Sequence, residues 1–113
     1  MTLNLANVTL DCDDPRPVAA FWSAALDIPV DEGASEFFVS LGRDHPGPNW
    51  FFIKVPEDRA AKNRVHIDFE TADRSAEIER LVGLGASKVS DHDEYGHSWT
   101  QMSDPVGNEF CVS

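Results

Sequence analysis

The strongest constraint on what this chain can fold into is an internal repeat. Residues 59 apart match near its start, middle and end: Asn7 with His66, Asp14 with Asp73, Pro46 with Pro105, and Asn49 with Asn108. Self-similarity at a fixed spacing marks a structural unit used more than once. The chain has 113 residues, the size of one small domain with one core. Each copy is therefore about half a small domain.

Each copy reads as βαβββ. Residues 64–70 alternate fully, with Val65, Ile67 and Phe69 on one side and His66, Asp68 and Glu70 on the other. A strand repeats every two residues, so this is a half-buried strand with a titratable face. Residues 3–12 form its counterpart, with Asn7, Thr9 and Asp11 opposite Leu3, Leu5, Val8, Leu10 and Cys12. A helix follows in each copy. Asp14 caps the first, Pro15 takes its first position, and Val18, Phe21, Trp22 and Ala25 form its apolar stripe. Asp73 caps the second, whose stripe is Ile78, Leu81 and Val82, and Gly85 ends it. Extended segments are expected at 30–33, 36–41 and 50–55, and again at 88–90, 97–103 and 108–113. Residues 42–49 and 104–107 are turns, and 92–96 is a polar loop. The fold class is α+β: two tandem βαβββ modules forming a curled eight-stranded mixed sheet around a cleft, helices outside. One domain spans 1–113, with module 1 at about 1–56, a linker at about 57–63 and module 2 at about 64–113.

The formal charge is −11, from 20 acidic and 9 basic residues, which argues against nucleic acid as a partner. No apolar run approaches the ~20 residues of a membrane span. The start of the chain lacks the basic and apolar regions of a signal peptide, so the expected location is the cytoplasm. Two cysteines, Cys12 and Cys111, are too few for a disulfide framework and form no CxxC pair.

The pattern resembles the vicinal oxygen chelate superfamily of glyoxalase I, bleomycin-resistance proteins and extradiol dioxygenases, and most of all its small glyoxalase-like domain proteins. The residues that carry the resemblance are Asp11-Cys12-Asp13-Asp14-Pro15 leading to Ala20-Phe21-Trp22, then His66-Ile67-Asp68-Phe69, Leu84-Gly85-Ala86, and Asp104-Pro105-Val106-Gly107-Asn108-Glu109-Phe110. It covers nearly the whole chain. It implies eight strands around a cleft, commonly a homodimer, and in metal-using relatives four ligands from the first and last strands of the two modules. Those positions match Asn7 and His66, and Phe52 and Cys111 give or take one residue. His66 is a competent ligand and Cys111 one only as a thiolate. Asn7 is weak, and Phe52 has no donor.

By strand parity the cleft is expected to hold Asn7, Trp50, Phe52, His66, Asp68, Glu109 and Cys111, with Trp99 as a wall residue. Aromatics beside carboxylates suit a ligand with a flat apolar part and a cationic or hydrogen-bond-donating part. His66 has three readings: a lone metal ligand, a general base or hydrogen-bond partner for the ligand, or a buried remnant of an older site. Cys111 is expected to be a packing residue, since nearby carboxylates raise a thiol pKa. His92 and His97, with Asp91, Asp93 and Glu94, show no ligand spacing and read as loop. The expected function is binding of a small organic molecule in the cleft with no cofactor. The alternative is a lyase, isomerase or dioxygenase with an unusual or divalent-metal site around His66.

Overall fold

The computed structural model describes residues 3–57, 64–94 and 96–113. The chain divides into two compact units, Met1–Arg59 and Ala60–Ser113. The expected linker, 57–63, lies outside the described residues apart from Glu57.

Unit 1 contains β1 (Asn7–Cys12), α1 (Pro15–Leu26), β2 (Phe38–Leu41) and β3 (Asn49–Lys54). Its sheet order is β1-β3-β2, with β1 parallel and β2 antiparallel to β3. Asp14 caps α1 by accepting a hydrogen bond from the Arg16 N–H at 3.2 Å, as its position before Pro15 predicts. The helix ends at Asp27, in the left-handed region at φ 55°, two residues before Pro29. Val18, Ala19, Phe21 and Trp22 are buried. Trp22 stacks on Trp50 at 5.5 Å, which fixes α1 on the Trp50 side of the sheet. Burying each such large apolar side chain contributes about 1.5–3 kcal/mol. The expected extended segment at 30–33 is reduced to one bridge, Val30 to Leu41. Pro29 precedes it, and Gly33 turns the chain at φ 95°, so no ladder propagates.

Unit 2 contains β4 (Ile67–Phe69), α2 (Arg74–Leu84), β5 (Ser87–Glu94), β6 (His97–Ser103) and β7 (Glu109–Val112). Its sheet order is β4-β7-β6-β5, with β4 parallel to β7 and the remaining pairs antiparallel. Asp73 caps α2 through the Ala76 N–H, and Gly85 ends it at φ 119°. Asp104 is buried and organises the turn into β7. Its carboxylate accepts from the Val106 and Asn108 N–H groups and from Asn108 Nδ2, all within 3.0 Å.

Two helices and two mixed sheets confirm the α+β class and the twofold βαβββ plan, with seven strands and a bridge among the described residues in place of eight strands. The opening strand of the second module is shorter than expected. Residues 64–66 lie outside β4, and Val65 is exposed. The expected loop at 92–96 is in part strand, because β5 continues to Glu94 and pairs with β6 as far as Glu94 opposite His97. Its polar residues hid that alternation.

Candidate functional site

A sheet with a helix on one side has one face left for function. In unit 1 the helix-covered face carries Leu10, Val39, Leu41, Trp50 and Phe52, all buried. The register puts them together: Leu10 opposite Phe52, Val39 opposite Phe52, and Leu41 opposite Trp50. Trp50 and Phe52 are therefore core residues beneath α1, not members of the open face as expected. The error is one residue of register. Leu10 pairs with Phe52 in unit 1 and Phe69 with Val112 in unit 2, so the last strands are offset by 60, while the first strands and helix caps keep 59. A slip of one residue moves every side chain to the other face. The residue opposite Thr9 is Phe51, and the open face of unit 1 carries Asn7, Thr9, Asp11, Phe38, Asn49, Phe51 and Ile53. Asn7 is exposed on it, as expected, and Phe38 meets Phe51 edge-on at 5.1 Å. The apolar half of this face, Phe38 and Phe51, went unrecognised because the repeat was extended through β3 without a shift.

In unit 2 the covered face carries Ile67, Phe69, Thr100, Met102, Phe110 and Val112. The other face brings together Asp68, Trp99, Gln101, Glu109 and Cys111. Asp68 is directly opposite Cys111, and Gln101 flanks Cys111 on the other side. Asp68, Glu109 and Cys111 thus share a face as parity predicted, and Trp99, expected as a wall residue, lies on it too. His66 precedes β4 and is exposed, so the buried-remnant reading does not describe it. Cys111 is buried, with a relative exposure of 7%. Burial pushes its thiol pKa above the ordinary 9.0, and the Asp68 carboxylate, by its charge and as a hydrogen-bond acceptor, and the Glu109 charge push it further.

The same face holds an aromatic group that sequence spacing did not reveal. Trp99 stacks with His92 at 5.0 Å and 10° between planes, and with His97 at 5.4 Å and 22°. Ser90 Oγ lies 2.7 Å from His92 Nε2. Only the pairing of β5 with β6 brings His92 beside Trp99.

A cavity of about 410 Å³ lies between the same hairpin and α2, lined by residues that include Arg74, Lys88, Asp91, His92, Asp93 and Thr100. Its charges largely meet one another. Lys88 Nζ is 2.6 Å from Asp91, which also accepts from Thr100 Oγ1, and Asp93 accepts from Ser98 Oγ.

The glyoxalase-like domain family model matches residues 7–113, and the chain belongs to that family. No protein of curated function matches the chain. Solved structures share its fold. The fosfomycin resistance protein FosX of Listeria monocytogenes, a mutant complexed with Mn(II) and 1S,2S-dihydroxypropylphosphonic acid, superposes with a TM-score of 0.80 at 15% identity, covering 99% of this chain and 90% of that one. A glyoxalase/bleomycin resistance protein/dioxygenase family enzyme of Burkholderia phytofirmans gives 0.76 at 18%, covering 97% of each chain. The bleomycin-binding protein of Streptomyces verticillus, complexed with copper(II)-bleomycin, gives 0.64 at 17%, covering 100% of this chain and 96% of that one.

The residues at the four ligand positions do not fit the superfamily's metal centre. The corrected register replaces Phe52 with Phe51, which has no donor either. Asn7 offers only an amide, and the surroundings of Cys111 oppose the thiolate a metal needs. His66 alone is a competent ligand. Among the described residues, no group of three His, Cys, Asp or Glu side chains is placed to hold a metal ion.

Proposed function

We propose that this protein binds a small organic molecule on the sheet faces its helices leave uncovered, and does so without a divalent metal. The observation that carries this reading is the side-chain chemistry of the matched ligand positions: an amide, a phenyl ring, a buried thiol and one imidazole. On the open face of unit 2, Trp99 supplies an apolar contact and Asp68 and Glu109 anionic ones. Such a set suits a planar molecule bearing positive charge. Structural neighbours solved with bleomycin and with a phosphonic acid support the binding of small molecules on this fold. The reading includes a homodimer in the cytoplasm, the former checked by sedimentation.

Planar aromatic cations should therefore raise the melting temperature. A ligand at 100 times its Kd stabilises the folded state by about 2.7 kcal/mol. A screen in which only anions or neutral polar compounds shift the melting point would contradict the proposal. A catalytic role for His66, as general base in a lyase, isomerase or dioxygenase reaction, is the lesser reading. It rests on an exposed imidazole two residues from Asp68.

A further inference from the structure

We propose that His92, Trp99 and His97 form a stacking platform for planar aromatic cations, and that protonation of the two imidazoles releases the ligand. This deepens the binding reading above and rests on it. Three aromatic rings lie nearly parallel on the face that also carries Asp68, Glu109 and Cys111. His97 is exposed, while His92 and Trp99 are half-buried, so the group is held by the sheet yet open to solvent.

Imidazole is the side chain that changes charge between pH 5 and 8. With both rings neutral, the stack presents electron-rich faces, which attract a cation. With both protonated, two positive charges flank Trp99 at 5.0 and 5.4 Å between ring centroids and repel a cation bound at the stack. They also draw the indole face and nearby carboxylates to themselves. The charged groups around the stack fall on two sides. On the same face stand Glu94, directly across from His97, and farther along the sheet Glu109 on β7 and Asp68 on β4. On the α2 side stand Lys88, Asp91 and Asp93 of β5 and Arg74 of α2. Lys88 is already paired with Asp91. The same-face groups named here are thus acidic, and the two imidazoles are the members of the stack that can take up a proton.

The test uses N-methylquinolinium as probe and two readouts. The first needs no ligand. A protonated imidazole in contact with indole quenches its emission, so the Trp99 signal, taken as the difference between the native chain and Trp99→Phe, should fall as pH drops from 8 to 5. The second is the probe's Kd by calorimetry, which should weaken about tenfold over the same interval. That is the order two added unit charges produce at ~5 Å in a solvent-exposed setting. Both responses should flatten in the double variant His92→Gln with His97→Gln. Should that variant not fold, His97→Gln alone, at an exposed position, should lose about half of each response. A planar aromatic anion, 2-naphthoate, should show the opposite trend, binding better at pH 5.

An unchanged pH dependence in the glutamine variants would overturn the platform, as would a probe affinity that does not vary with pH. Failure of the probe to bind at any pH, with the Trp99 response intact, would overturn the binding reading itself and the platform's role with it.

Discussion

Cys111 illustrates how a single residue's surroundings decide its chemistry. It occupies a position from which the superfamily draws a metal ligand, yet it is buried, and Asp68 and Glu109 hold its pKa up. A raised thiol pKa favours the folded state fully below the unfolded value. That contribution is lost as pH rises through the folded value. At neutral pH, Cys111 should therefore resist thiol reagents in the native protein and react once urea unfolds it. Rapid native labelling at pH 7 that disappears in Cys111→Ala would refute this. The carboxylates that push the Cys111 thiol up were legible in the sequence, because parity alone puts Asp68 and Glu109 on its face. The His92–Trp99–His97 stack was not, since it depends on a cross-strand pairing that no local pattern encodes.

At the scale of elements, the capped helices follow from spacing and end chemistry, whereas the first strand, expected over 3–12, begins only at Asn7 and leaves Leu3 and Leu5 exposed. The greater error lay in the last strand. The match of Asn49 with Asn108 invited an unbroken offset through β3 and β7, whereas the ladders differ by one residue. Apolar residues fill both faces of β3, where Trp50, Phe51, Phe52 and Ile53 run together, so alternation could not reveal the slip. The correction has a direct consequence for stability. Phe52 is fully buried, and Phe52→Ala should cost about 3–5 kcal/mol in urea denaturation. Phe51→Ala, on the open face, should cost clearly less. Equal losses for the two variants would return Phe52 to the open face. The two helices also differ. α1 buries five residues, including Phe21 and Trp22, but α2 buries only Leu81 and leaves Val82 exposed. The same plan is thus carried on unequal cores, which a repeat in the sequence does not disclose.

At the scale of the whole molecule, net charge and donor chemistry set the expectations. Asp14 is held below its ordinary 3.8 by hydrogen bonds from the Arg16 backbone and guanidinium, Glu77 below 4.5 by Arg80, and Asp91 below 3.8 by Lys88 and Thr100. Folded values under the unfolded ones add stability above the unfolded pKa, lost as pH falls through the folded pKa. Stability should therefore decline on acidification below about pH 4.5. These groups are exposed or half-buried, so their share should shrink in high salt. Melting curves that stay constant from pH 5 to 2 would contradict this. The chain carries the fold of a superfamily known for metal chemistry, with side chains at the ligand positions that do not suit a metal. Elemental analysis of protein grown with manganese, iron, nickel and zinc, and purified without chelator, tests that account most directly. The metal content should fall well below one ion per chain and be the same in His66→Ala. One tightly held ion per chain, lost in His66→Ala, would contradict it.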